Sequence, residues 1–438
     1  MKISPFLSIA ALVSGSGILA SHVEDSDVED PPRRQLRNSY MADPRSIILK
    51  GNHGDHTWAN TRTLGGGLRF DWTNLRDTNK MSLHARVIDF YQNPVDACQR
   101  PLRNDLKIYR VEMPNSGLGS SMHLWARQLC HAYDEKAILI VEPNKHIIDQ
   151  TPTGFLWNDS RYCGSHDSPL SCYFGNHESL RACDFSDSER ADLLRDVPIH
   201  EFSFSDPMLS DPKNGCTFLE QTNERIIQFP HEVPLGTSMK EHNAHVVNEH
   251  KSIIAFFYAA AMEFLFQKVS PIVISEAHRQ LLAMFDSGIV PANMVTVHIR
   301  WGDKEKEMTL VGIDEYIEAT KEIIGAGWDI HPQHIYVASE DGRAISEYES
   351  RMPRNWKIYS SGPTFDEPGK APTSNAQANE GQDGLEAMAA LLIALEADRY
   401  VLTTQSNWSR LINELRKSII HPRCGECTRM IDVAPGEW

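Results

Sequence analysis

Positive charge is scarce in this chain. Forty-three lysines and arginines stand against 59 aspartates and glutamates, a formal net charge of −16, and no basic stripe dominates any stretch. That excludes a generic nucleic-acid binder, although it leaves room for a local basic pocket around a phosphate. Long apolar runs are also missing beyond the N-terminus. The strongest, within Ile253–Lys268, is broken at Glu263; it is too short to span a bilayer and reads as a buried core helix. Paired metal-ligand cysteines are lacking too. The eight cysteines are Cys98, Cys130, Cys163, Cys172, Cys183, Cys216, Cys424 and Cys427. They contain one CxxC, Cys424–Cys427, whereas a zinc site usually needs two. We read that pair as a local disulfide in an oxidising compartment. The sequence leaves the other pairings open.

What is present fits a globular chain of two to three domains: 438 residues, 41% hydrophobic and 23% charged. Met1 and Lys2 precede a small, apolar run from Ile3 to Ala20. Residues 1–20 therefore read as a signal peptide, cleaved after Ala20, or as a short signal anchor. Both deliver the rest to the secretory pathway, to the Golgi or ER lumen or to secretion, with the membrane engaged only through that anchor. Residues 21–45, with an acidic patch from Glu24 to Asp30 and then Pro31-Pro32-Arg33-Arg34, form a flexible stem. Asn158-Asp-Ser160 and Asn407-Trp-Ser409 are glycosylation sequons. The first lies in a polar loop suited to modification. The second falls in a candidate site and is expected to stay bare.

Val295-Thr-Val-His-Ile-Arg-Trp-Gly-Asp-Lys304 is the stretch around which the rest is arranged. Val295, Val297 and Ile299 alternate with Thr296, His298 and Arg300. That is a strand's period, over about 294–300, and it sets His298 and Arg300 on one face. Charges this dense at a strand end, with Glu307 just beyond, suit an active-site edge; solvated surface charge is the bland alternative. Helices follow near Ile313–Ile324, Arg343–Arg351, Gly384–Glu396 and Trp408–Arg416, with strands at His334–Ser339 and Arg399–Thr403 and a long loop over 360–384. Upstream, residues 46–97 carry mixed signals and 151–235 look irregular. The glycine-rich turn Asn115-Ser-Gly-Leu-Gly-Ser-Ser121 leads into a helix over Met122–Tyr133, then a strand over Ala137–Val141. A further helix over Ser275–Met284 precedes the opening strand. Alternating strands and helices predict a doubly wound parallel sheet, with ligands at the carboxyl ends of its strands. Arg300, Asp341 and Ser406 all lie at such ends. Arg300 can grip a diphosphate bidentately. The backbone N–H groups of Ser406 and Asn407, at a helix start, offer a second anion site. The turn at Gly117–Ser120 offers a third. His298 can reach a base or sugar. Glu307 and Lys304 are the acid–base candidates for a displacement in which a diphosphate leaves.

These residues resemble a known family. His298-Ile-Arg-Trp-Gly-Asp-Lys304 resembles the HxRxxDK motif of the α1,6-fucosyltransferases and their relatives, the bacterial nodulation and protein O-fucosyltransferases. Gly117-Leu-Gly-Ser-Ser-Met-His123 is similar to the family's GxGxxxH turn. Tyr336-Val-Ala-Ser-Glu-Asp341 is similar to its strand with a terminal acidic pair, and Tyr400 to Arg410 to its donor-phosphate segment. The resemblance spans roughly 98–416. It implies an α/β, GT-B-like fold of two facing Rossmann-type domains, 46–270 (acceptor side, disulfide-bearing) and 271–438 (GDP-sugar side). It implies an inverting transfer of fucose from GDP-fucose to a glycan hydroxyl, with no metal or other cofactor. The innermost GlcNAc of an N-glycan is one acceptor. The alternatives are protein O-fucosylation, transfer from another GDP-sugar, or a non-catalytic glycan-binding role. Glu307 would be the base with Lys304, and Arg300 would hold the β-phosphate. His298, Gly117, Gly119, His123, Tyr316, Asp341, Ser406 and Asn407 would line the donor site. The phase of Glu307 matches the family's, six residues before Ile313-Asp-Glu-Tyr316. Trp301 stands where the core-fucosylating enzymes have a second Arg, and Asn407 where they have Gln. Their guanine-reading aspartate falls on Ala390. Glu386 would substitute for it, or would close a capping box with Asp383. Neither the coiled coil nor the SH3 domain of the animal core enzymes is expected here.

Overall fold

A computed structural model describes residues 67–75, 81–93, 107–113, 116–142, 155–163, 168–174, 187–200, 249–302, 304, 309–365, 372–425 and 427–436. All of them belong to one compact unit, Thr57–Trp438. The signal segment, the stem, Asp303 and Glu307 lie outside the described residues, as do Cys98, Cys183 and Cys216.

Two parallel sheets carry the fold. The first contains β1 (Ile108–Glu112), β2 (Ile138–Glu142) and β3 (Ile199–His200), in the order β2-β1-β3. β1 and β2 pair in parallel from Ile108↔Ile138 to Glu112↔Glu142. The crossover between them is the helix Leu118–Asp134, as the right-handed β-helix-β connection requires. β2 is buried along Ile138–Val141, which explains its uninterrupted apolar sequence.

The second sheet contains β4 (Val295–His298), β5 (Gln333–Ala338), β6 (Trp356–Tyr359), β7 (Arg399–Leu402) and β8 (Arg429–Asp432). Its order is β6-β5-β4-β7-β8, with every pair parallel. β4 is the central strand and is buried on both faces. The chain builds outward from β4 to β6, then returns to lay β7 on the other side of β4. The topological switch point is thus the gap between β4 and β7. This is the doubly wound α/β layout expected from the alternation, and with the first sheet it makes the two-sheet, GT-B-like arrangement.

The helix Ile313–Ile324 has the expected bounds. Ile313, Tyr316, Ile317, Thr320 and Ile323 form its buried face, Glu315 reaches back to the N–H of Gly312 at 3.4 Å, and Gly325 at φ 79° ends it. Other expectations need correction. The helix expected from Met122 begins at Leu118, so the glycine turn lies inside its first turn. The expected loop over 360–384 contains a helix, Pro372–Ala378. β6 and β8 are short edge strands that carry little period-2 signal. The capping box between Asp383 and Glu386 does not form. The helix Gln382–Ala394 is entered through Gly381 at φ 81°, so Asp383 sits within its first turn and accepts from Asn379 Nδ2 at 2.5 Å. Glu386 instead accepts from Gln382 Nε2 at 2.7 Å.

One packing feature positions the site. The helix Asn407–Leu415 follows β7 of the second sheet, yet it packs against Glu249–Leu265 and Leu118–Asp134. Glu249–Leu265 is the expected core helix, with Phe257, Ala261, Met262, Phe264 and Leu265 almost wholly buried. Among the described residues no helix is long and apolar enough to cross a membrane. Cys424–Cys427 is a disulfide, as expected, and Cys163–Cys172 is another. Asn158 is wholly buried, and its Nδ2 donates to Pro169 O at 2.8 Å, so the first sequon is not the open loop its polarity suggested.

Candidate active site

A cavity of about 830 Å³ runs across the carboxyl ends of the second sheet. Its wall takes His298 and Arg300 from the end of β4, Ser339 and Glu340 from β5, and Ser361–Pro363 from β6. Gln405–Asn407 come from β7, and Ala434–Gly436 from β8. Gly117–Ser120 close over it from the helix after β1, joined by Trp157, Lys304 and Thr309. The switch point therefore holds the cavity, where such sheets bind ligands.

Arg300 is nearly buried and forms an ion pair with Glu340. Its Nη1 also donates to Trp301 O at 3.3 Å. Glu340, not Asp341, is thus the member of the acidic pair that faces the cavity. Asp341 caps the helix Gly342–Arg351, accepting from Arg343 N at 2.9 Å, and both its oxygens bind the Arg343 guanidinium, at 3.0 and 2.6 Å. Neighbouring residues at a strand end point opposite ways, and sequence spacing alone could not say which.

Two helix N-termini meet at the cavity. A Cβ on Gly119 would lie 3.0 Å from Trp408 N and 3.1 Å from Asn407 C, so only glycine lets the starts of Leu118–Asp134 and Asn407–Leu415 approach this closely. Asn407 spans the junction: its Nδ2 donates to Ser120 Oγ at 2.7 Å and its Oδ1 accepts from Arg410 Nη1 at 3.2 Å. Each helix start carries a positive partial charge, and two of them side by side suit an anion. One detail differs from expectation. Ser406 caps its helix through Oγ, which accepts from Trp408 N at 3.3 Å, while its own N–H is held by Thr403 O at 2.8 Å. The helix end, rather than the Ser406 amide, is what reaches the cavity.

Of three further residues expected in the donor site, His298 lies in the wall while Tyr316 and His123 brace it from behind. His298 touches the cavity, but its Nδ1 pairs with Ser409 Oγ at 2.6 Å, and that hydroxyl also accepts Thr403 N–H at 3.0 Å. Burial, with Arg300 adding to it, lowers the His298 pKa to about 3, so the ring is neutral. A serine hydroxyl that already accepts one N–H best gives its own proton to Nδ1, leaving the ring proton on Nε2. Tyr316 is fully buried, and its hydroxyl pairs with Thr403 Oγ1 at 2.5 Å. His123 is also buried and absent from the cavity wall. Its Nε2 lies 3.1 and 3.0 Å from the two oxygens of Glu414, and so ties together the two helices that abut at Gly119.

Lys304 reaches the wall, whereas Glu307 lies outside the described residues. Trp301 turns away from the cavity chemistry. Its Nε1 donates to Val311 O at 2.9 Å and its ring packs on the sheet's core. Ala390 lines the cavity, as does its neighbour Ala387. Among the described residues no group of three or more His, Cys, Asp or Glu could hold a metal ion. Trp157, Ser361 and the tail 434–436 were not foreseen from the sequence, and Arg410 was foreseen only as the end of the stretch from Tyr400. The fold alone brings them to the wall.

No protein-family model matches the chain, and no curated protein does. Among solved structures it is similar to the fucosyltransferase NodZ from Bradyrhizobium, at 11% identity over 70% of this chain and 93% of that one, with a TM-score of 0.35. It is similar to NodZ α-1,6-fucosyltransferase co-crystallised with GDP, at 12% identity over 70% and 92%, with a TM-score of 0.34. A variant of Arabidopsis thaliana FUT1 in complex with GDP matches at 13% identity over 81% and 84%, with a TM-score of 0.39.

Proposed function

We propose that this chain is a glycosyltransferase that moves fucose from GDP-fucose to a glycan hydroxyl with inversion. The observation that carries the reading is the convergence, in one cavity at the switch point, of Arg300 and two abutting helix N-termini. The HxRxxDK stretch supplies the sugar and base chemistry that this geometry alone would leave open. In this reading residues 271–438 hold the donor and 46–270 serve the acceptor.

Arg300 has five N–H donors in a rigid fork, enough to keep Glu340 on one edge and grip the β-phosphate with the other. As the bond from fucose to the diphosphate breaks, charge grows on the leaving oxygen, and Arg300 with the helix ends stabilises it. These positive groups stand in for a metal, so chelators should leave turnover unchanged. Glu307 takes the proton of the acceptor hydroxyl as it attacks the opposite face of the sugar carbon, with Lys304 beside it. The disulfides Cys163–Cys172 and Cys424–Cys427 support a setting in the secretory pathway.

The test is GDP-fucose turnover by the purified chain across N-glycans, chitooligosaccharides and folded protein domains, which separates glycan from protein acceptors. Arg300→Ala should lower kcat/KM by about 100-fold or more, the usual cost of losing a transition-state donor. Intact turnover in that variant would refute the site. Glu307→Gln should lower kcat by about 100- to 10,000-fold while leaving GDP affinity near that of the wild type.

A further inference from the structure

We infer that Asp432 is a positioning residue that sets the loop between β7 and the helix Asn407–Leu415, and through it the anion site. The inference rests on the donor-site reading above. Asp432 ends β8, paired with Leu402 at the end of β7. Its Oδ1 accepts Thr404 N–H at 3.1 Å and Ala434 N–H at 3.2 Å, and its Oδ2 accepts the Thr404 hydroxyl. Thr404 Oγ1 accepts Gly436 N–H at 2.9 Å, and Thr404 O accepts Arg410 Nε at 2.6 Å. Every polar group of this buried threonine is thereby fixed, by four contacts that lead to β8, its tail and Arg410. The next residue is held as well, Gln405 N donating to Ala434 O at 3.1 Å. Gly436 approaches so closely that a Cβ would lie 2.3 Å from Thr404 O.

The loop so clamped delivers Ser406 and Asn407 to the cavity two residues later. A carboxylate beside an anion site is costly on charge alone, since it repels the ligand. Its presence is understandable if oriented hydrogen bonding outweighs that repulsion, because an acid accepting three bonds sets backbone geometry that a neutral group cannot. The two roles have opposite signs in one variant. If Asp432 acted only through charge, Asp432→Asn would tighten anion binding. As a positioning residue its loss loosens the loop, because an amide has one acceptor oxygen and cannot serve both the Thr404 hydroxyl and the N–H groups of Thr404 and Ala434.

The experiment measures GDP and inorganic pyrophosphate binding by calorimetry on the full chain, with melting temperatures alongside. Asp432→Asn should weaken both ligands by about tenfold and by the same factor, as loss of hydrogen bonds to a charged group predicts. Thr404→Val should weaken them in the same way, and Thr404→Ser, which keeps the hydroxyl, should restore wild-type affinity. Thr404→Val with Thr404→Ser decides the matter if Asp432→Asn fails to fold. Unchanged or tighter binding in a folded Asp432→Asn, or a Thr404→Ser as weak as Thr404→Val, overturns the inference while leaving the donor reading intact. A wild-type chain that binds neither GDP nor pyrophosphate overturns both.

Discussion

Gly119 and His298 carry the sharpest residue-scale consequences. Gly119→Ala would push a methyl group against Trp408 N and Asn407 C, which are backbone atoms at a helix start and cannot swing aside. The helix N-termini must separate, so GDP affinity should fall by about tenfold, with overpacking destabilising the fold by about 1–3 kcal/mol. Calorimetry and thermal melting read the two effects separately. His298 gives a signed pH effect. Its folded pKa, about 3 through burial and then through Arg300, lies below its unfolded value. As pH falls below about 6.5 the unfolded chain takes up the proton first, so this contribution is complete above about pH 6.5 and is lost towards pH 3. His298→Asn should flatten the acid limb of stability against pH, measured by urea unfolding. Donor affinity should show no step from His298 between pH 5 and 8; a step that vanishes in His298→Asn would contradict the neutral ring.

At the scale of elements, the helix Glu249–Leu265 carries a group its apolar sequence did not explain. Glu263 is wholly buried and accepts Ser82 N–H at 3.1 Å, at the start of the helix Leu83–Gln92. Burial raises its pKa from 4.5 to about 7, against the opposing pull of Ser82. The folded chain therefore holds a proton that the unfolded chain has lost between those values. Stability should fall as pH rises from about 4.5 to 7, by about 3 kcal/mol. Glu263→Gln should remove that slope in urea titrations run at each pH; an unchanged slope would show that Glu263 is not its source. Element existence was largely legible, because Ile313–Ile324 and Gln333–Ala338 have strong periodicity. Helix starts were less so. Leu118–Asp134 begins on Gly and Ser residues that read locally as a turn, and only packing against Asn407–Leu415 draws them into the helix.

Across the whole molecule, the cavity is shared by segments almost three hundred residues apart, from Gly117 to Asn407. A ligand that bridges them should stabilise the fold as one unit: GDP at 100 times its Kd adds about 2.7 kcal/mol, which thermal melting reads as a rise of several degrees. The protein's own burial also bears on its modification. With Asn158 wholly buried and bonded to Pro169 O, folded chain from a secretory host should carry no glycan there; an occupied Asn158 in peptide mass spectra of active protein would contradict the packing.

The sequence by itself determined the doubly wound sheet, the strand at Val295–His298 and the concentration of chemistry at its carboxyl end, because periodicity and composition are local properties. It also brought Arg300, Lys304 and the glycine turn forward as site residues, and all three reach the cavity. Tertiary structure alone decided which groups face the cavity and which brace them. Glu340 rather than Asp341 enters the cavity because strand parity and a helix cap divide the pair. His123 and Tyr316 sit behind the wall because the helices on which they ride bury those faces. Asp432 became visible only when β8 paired with β7 and laid its tail against Thr404. Such roles depend on contacts between distant segments, for which the linear chain holds no periodic signal.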